Sequence, residues 1–302
     1  MPRLKSQAAK DNLLRRVRRQ RLKYITVLPS LVTILNGVCG FAAIVLAGRG
    51  EYAKSGYLML VAMGADMLDG RLARMSHSTS SFGGQLDSLC DVISFGIAPA
   101  FLMFRILEHE MALAEMEFLE RFIWLAAGVY ISCSAIRLAR FNVENEEDES
   151  AHMSFVGLPT PAAAGVIVSL VIFHEEILTK LLTSGSSAYP LCRGVIMYSL
   201  PFLVLGVAVL MVSRIRYPHI LNQYIKGKKP LDHFIRVVFL IAIIVWSRQV
   251  AFVLIFCGFA LSGFSKWFYY KVLKKKRVVA PDEQPAFAAA GPAEISDEDT
   301  EV

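Results

Sequence analysis

Asp66, Asp69, Asp87 and Asp91 lie at the facing ends of two strongly apolar segments, with Gly70, Ala73, Arg74 and Gly83 spaced between them. A charged side chain near the centre of a membrane helix costs roughly 2.5–3.5 kcal/mol on insertion scales, so a group of carboxylates there requires a compensating cation or a water-filled cavity. Asp66 and Asp69 are three apart, and Asp87 and Asp91 are four apart, so each pair projects from a single helical face. Facing pairs make an oxygen-only box that suits one or two Mg2+ or Mn2+ ions, hard cations that bridge carboxylates to substrate phosphates. Gly70 and Ala73 leave room beside the box for a bulky ligand. Arg74, one turn after Gly70, offers a fork of donors to a phosphate. No His or Cys is placed as a protein nucleophile, which favours direct displacement at phosphorus over a covalent intermediate.

The elements that must hold this cluster are membrane helices. With 302 residues, 55% of them hydrophobic, and a mean hydropathy of +0.47, the chain is far too apolar for a soluble domain of this length. At about 20 residues per span, the apolar runs predict helices at 27–48, 56–74, 86–107, 122–142, 158–178, 194–213, 233–247 and 249–269. Residues 1–24 carry a dense run of Lys and Arg, from Arg3 to Lys23, against the single acid Asp11, which places the N-terminus in the cytoplasm. Eight spans return the C-terminus to that side, and the second span then brings Asp66 to Arg74 to the cytoplasmic surface. The third span begins there with Gly83, Asp87 and Asp91, so all four aspartates meet at one depth, open to lipid and cytosol.

Leu13, Leu14, Val17 and Leu22 interleave with the N-terminal cations, which reads as an interfacial helix on anionic lipid and not as a nucleic-acid arm. The segment lacks a small-residue cleavage site and is not expected to be a removable signal peptide. Cys39, Cys90, Cys133, Cys192 and Cys257 have no paired spacing and read as small core residues, with neither disulfide nor zinc expected. From about Val278 the proline- and alanine-rich tail with its acidic end is expected to be disordered.

Asp66, Asp69, Gly70, Ala73, Arg74, Gly83, Asp87 and Asp91 match, in type and spacing, the signature of the CDP-alcohol phosphatidyltransferases, and the chain resembles that family over residues 25–220. The resemblance implies an all-α polytopic bundle with a six-span core. Residues 1–24 would be a basic juxtamembrane segment, 221–277 about two extra C-terminal spans with a basic exit, and 278–302 an acidic tail. It implies that CMP is displaced from a CDP-linked lipid by an alcohol. Asp66, Asp69, Asp87 and Asp91 would be metal ligands, with Asp91 also the general base, and Gly70, Ala73, Arg74 and Gly83 would line the CDP-diacylglycerol pocket. It further implies a homodimer in a bacterial inner membrane. Thr33 and Asn36, polar in an apolar first span, read alone as either helix–helix glue or nucleotide contacts; the resemblance assigns them to the nucleotide.

The runs Arg137-Leu138-Ala139-Arg140-Phe141-Asn142 and Phe155 to Ala162 are similar to the type II phosphatidylserine synthase branch, which implies L-serine as acceptor. Arg137 and Arg140 at the inner end of the fourth span, and Arg214 and Arg216 at the end of the sixth, would hold pyrophosphate or the serine carboxylate. Arginines at the inner ends of spans also commonly snorkel to the interface with no chemical role. His77 reads as a solvated loop residue, and Glu144, Glu146, Glu147, Asp148 and Glu149 as a soluble acidic loop. The alternatives are the same metal site with glycerol phosphate, inositol phosphate or choline as acceptor, or a cation-coupled transporter, since intramembrane aspartates also mark ion paths. Clustering of the aspartates at one surface and the lack of an inverted repeat weigh against transport.

Overall fold

An apolar run of membrane length can satisfy its own backbone donors and acceptors only as a helix, and the chain folds accordingly. The computed structural model describes residues 30–76, 81–111, 116–147, 155–178, 180, 189–217 and 247–269. The helices are α1 (Ser30–Gly48), α2 (Tyr52–Ser76), α3 (Ser81–Asp91), α4 (Ala98–Met111), α5 (Glu117–Glu147), α6 (Thr160–Phe173), α7 (Tyr189–Val212) and α8 (Arg248–Phe268). A compact unit extends through Trp267; of the second, Phe268–Val302, only Phe268 and Tyr269 are described. Among the described residues, six helices are long and apolar enough to cross a membrane: α1, the rod Phe82–Met111, α5, α6 with its continuation to Ile177, α7 and α8. α2 has the length, but Asp66, Asp69 and Arg71 interrupt its apolar run, and it packs chiefly on α6. The protein is an all-α polytopic bundle. The expected span 233–247 lies, up to residue 246, outside the described residues, as do the N-terminal arm and the tail.

Lipid and protein divide the helix faces. Leu31, Leu35, Val38 and Phe41 recur at helical spacing on α1 and are exposed, as a face turned to acyl chains requires. The interior mixes small residues such as Ala43, Ala47, Ala98 and Ala163 with Leu102, Met103, Ile106 and Ile167, which allows close helix approach. α1 comes nearest to the rod at Gly40, where a Cβ would lie 2.7 Å from the Cα of Ser94.

α3 and α4 are joined by one π-helical stretch, Val92–Ile97, in which the Ala98 amide donates to Ile93. The cause is Pro99, which has no N–H for the carbonyl of Phe95 four residues back and would clash with it in a regular helix. The hydroxyl of buried Tyr130 on α5 donates to that freed carbonyl at 2.9 Å. α5 departs from expectation at its end: Glu144, Glu146 and Glu147 continue the helix and do not form a loop. Glutamate is a good helix former, and the turns beyond the apolar stretch keep their backbone bonds at no desolvation cost.

A two-residue antiparallel pair, β1 (Phe155–Val156) with β2 (Arg216–Tyr217), clips the segment before α6 to the segment after α7. Gly157 holds the clip with φ +83°; its amide donates to Ile215 at 2.8 Å, and a Cβ there would lie 2.3 Å from the Met211 carbonyl oxygen. Left-handed backbone costs a side-chain-bearing residue about 1–2 kcal/mol. Gly157→Ala is therefore expected to lower the melting temperature of the purified protein by about 2–8 °C. An unchanged melting curve would show that the clip contributes nothing to stability. α8 braces the clip: Tyr217 is buried, and its hydroxyl donates to the Ala260 carbonyl at 3.2 Å.

Candidate active site

The aspartates are positioned by three elements. Asp66 and Asp69 lie on one face of α2, Asp87 lies on α3, and each offers a carboxylate oxygen within 4.8 Å of the others. α1 supplies the donors. Its Thr33 side chain hydrogen-bonds the Asp69 carboxylate, and Asn36 Nδ2 donates to Asp91 Oδ1 at 2.9 Å. Ser94 in the π turn fixes this register by donating to the Asn36 carbonyl at 2.9 Å. Thr33 and Asn36, assigned from the sequence to the nucleotide, thus have carboxylates as their immediate partners.

Of the four carboxylates that sequence spacing puts in one box, Asp66, Asp69 and Asp87 lie within 4.8 Å of one another, and Asp91 is within electrostatic reach of all three. Asp91 stands one turn farther along α3 than Asp87, 7% exposed and engaged by Asn36. The difference is a helical one: a residue four positions on shares the face but lies about 6 Å along the axis. Asp69 is only 4% exposed, and Asp69 Oδ2 and Asp87 Oδ1 are buried with no hydrogen-bond partner. A buried acceptor without a donor is costly, and a charged one more so. Orphaned oxygens on converging carboxylates fit a hard divalent cation, which would bind Asp66, Asp69 and Asp87. Gly70 follows on α2, exposed, and a Cβ there would meet nothing within 4 Å. Gly83 lies in the first turn of α3. The side chains of Ala73 and Arg74, and the whole of His77, lie outside the described residues.

Below the carboxylates the space closes on a small apolar floor, where Cys39 of α1, Ala62 of α2, Phe95 of the π turn and Ala164 of α6 pack together. Four helices therefore converge on one point. The polar residues one turn nearer the surface on each of them stand at one level above that floor.

The arginines fall into two groups. Arg137, 8% exposed, donates through Nε to the Leu158 carbonyl, and Arg140 Nη1 donates to the Val212 carbonyl at 3.3 Å. Both bind α5 to the clipped ends of α6 and α7, at the aspartate end of the bundle. Arg214 is exposed, and Arg216 pairs through its backbone in β2, its side chain lying outside the described residues. Two residues that the site argument did not single out join this end: Ser88, beside Asp87, and Asn142 exchange hydrogen bonds at 2.9 and 3.1 Å. Asn142 closes the Arg137–Asn142 run, but Ser88 gives no signal beyond its position.

Residues 26–212 match the family described as CDP-alcohol phosphatidyltransferase. The chain is 30% identical over 245 residues, 81% of its own length and 92% of the relative's, to the CDP-diacylglycerol–serine O-phosphatidyltransferase of Helicobacter pylori. It is 32% identical over 202 residues to the protein of the same name from Methanocaldococcus jannaschii, covering 67% of this chain and 79% of that one. It is also 32% identical over 206 residues to the archaetidylserine synthase of Methanothermobacter thermautotrophicus, covering 67% and 73% respectively.

Proposed function

Because this chain belongs to the CDP-alcohol phosphatidyltransferase family, we propose that it transfers the phosphatidyl group of CDP-diacylglycerol to the hydroxyl of L-serine, giving phosphatidylserine and CMP. The observation that carries the reaction class is the trio Asp66, Asp69 and Asp87 with orphaned oxygens on Asp69 and Asp87. Serine as acceptor is supported by the names of relatives from bacteria, archaea and yeast.

A Mg2+ or Mn2+ ion, or a pair of them, held by these carboxylates would neutralise the pyrophosphate and the charge on departing CMP. The protein's own groups do the rest. Asp91 takes the proton of the serine hydroxyl as its oxygen forms a bond to the lipid-side phosphorus. The bond from that phosphorus to the CMP oxygen breaks in line, and the electron pair leaves with CMP. Asn36 and Ser94 fix where Asp91 stands, so proton acceptor and phosphorus are held in one geometry. Gly70, Ala73, Arg74 and Gly83 line the approach of the CDP moiety, and Arg137, Arg140, Arg214 and Arg216 supply positive charge at the same end. Asp91 as a ligand shared with a second ion belongs to the same reading.

The basic arm before α1 supports a site facing the cytoplasm, with both termini on that side of a bacterial inner membrane. A homodimer is part of the same proposal, by family likeness.

The test is CMP release by the purified, lipid-supplemented protein with CDP-diacylglycerol, divalent cation and one acceptor at a time. Release is expected with L-serine and not with glycerol phosphate, inositol phosphate or choline. Release with one of those and none with serine would replace the acceptor and leave the aspartate site standing. Substrate- and cation-dependent transport without CMP release would favour the transporter.

A further inference from the structure

We propose that Thr160, at the first turn of α6, binds the carboxylate of the acceptor amino acid, so that α6 forms the fourth wall of the reaction chamber. This rests on serine being the acceptor and adds how it is recognised.

The chamber floor sets the geometry. Cys39, Ala62, Phe95 and Ala164 touch one another. One turn towards the site from the first three are Asn36, Asp66 and Asp91; one turn back from Ala164, on the same face of α6, is Thr160. Side chains on a helix lean towards its N-terminus, which directs Thr160 away from the floor and into the chamber. Thr160 is 1% exposed, and its hydroxyl oxygen has no hydrogen-bond partner. In most buried threonines the hydroxyl is satisfied within the protein. Here it is unsatisfied, as are oxygens of Asn36, Asp69 and Asp87, and the shared floor sets all four on the side of the bundle where we place the chamber.

The surroundings of Thr160 select an anion. It opens α6, whose positive end faces the chamber, and Pro159 at the N-cap supplies no side-chain acceptor to the first turn. Arg137 brings a guanidinium against Leu158, two residues earlier. The opposite walls carry Asp66 and Asp91. A zwitterionic amino acid has one orientation in such a field: carboxylate to Thr160 and the α6 terminus, ammonium towards the aspartate side, and hydroxyl to Asp91. The nucleotide pyrophosphate would be met by the divalent cation that Asp66, Asp69 and Asp87 would hold, so the Thr160 wall is left for the acceptor.

Thr160→Val keeps shape and removes the hydroxyl. One hydrogen bond to a charged group corresponds to about a 10- to 100-fold change in affinity. The KM for L-serine is expected to rise by about that factor with the KM for CDP-diacylglycerol unchanged, and Thr160→Ser is expected to restore it. Serinol, in which a hydroxymethyl replaces the carboxylate, separates this reading from a general loosening: wild-type preference for serine over serinol should fall by the same factor in Thr160→Val. The inference is overturned if the variant keeps the wild-type serine KM, if both acceptors weaken equally, or if the CDP-diacylglycerol KM rises instead. Should Thr160→Val not fold, Thr160→Ala carries the same test. A wild-type protein inactive with serine would instead overturn the acceptor assignment on which this rests.

Discussion

The Asp69→Ala protein, supplied with CDP-diacylglycerol, L-serine and Mg2+ or Mn2+, is expected to release CMP at about a thousandth of the wild-type rate or less. A divalent cation contributes several kcal/mol of transition-state charge stabilisation, and each ~1.4 kcal/mol is a factor of ten. Asp69 is the most buried of the three clustered carboxylates, so its loss leaves Asp66 and Asp87 repelling one another around an under-coordinated ion. Asp66→Ala and Asp87→Ala are expected to fail in the same way. Excess EDTA should abolish wild-type activity, and added Mg2+ or Mn2+ should return it. Turnover that persists in excess EDTA would dispose of the cation. A melting curve in EDTA separates chemistry from folding: Asp69→Ala removes a buried carboxylate oxygen that has no partner but also the acceptor of the Thr33 hydrogen bond, two effects of opposite sign, so the variant should melt within a few degrees of its parent, about 1 kcal/mol either way. A fold that collapsed would assign the lost activity to structure.

The site was legible where helical periodicity determined it. Three- and four-residue spacings place Asp66 with Asp69 and Asp87 with Asp91 whatever the surrounding fold, and apolar run lengths locate the helices to within a few residues. What periodicity does not contain is the pairing between helices. Asn36 and Asp91 are 55 positions apart, and nothing local to either predicts that one donates to the other. The axial height of Asp91 relative to the trio is likewise left open by spacing until α2 and α3 are set side by side. Backbone acceptors are equally hidden: Arg137 shows in sequence only as a cation at the end of a span, and that its Nε donates to the Leu158 carbonyl has no local signal, since any residue type at 158 offers that group. Pro99 is an intermediate case, since proline announces a broken helical bond but not that Tyr130 would fill it. Thr160 sits in a Pro-Thr-Pro-Ala run that reads only as a helix start, and it gains meaning from the packing of Ala164 one turn on.

For Asp91, the variant that isolates the proton is Asp91→Asn, which keeps the shape and removes the base. The chemical step is expected to fall by the roughly 10²- to 10⁴-fold that general base catalysis contributes. The KM for CDP-diacylglycerol should change little, because the clustered trio is intact and Asp91 stands one turn beyond it. The structure gives a reason to expect the neighbour to matter as well. Asn36 Nδ2 donates to Asp91 Oδ1 at 2.9 Å, with Asn36 itself fully buried and its backbone carbonyl held by Ser94. An asparagine at 91 can still accept that bond by presenting its own carbonyl to Asn36, so α1 stays docked and the loss is confined to proton acceptance. Single-turnover measurements of CMP release would then show a slowed step with binding retained. An Asp91→Asn protein with near-wild-type turnover would remove Asp91 as base, and the proton would have to be taken by another group, the clustered carboxylates of Asp66, Asp69 and Asp87 standing nearest.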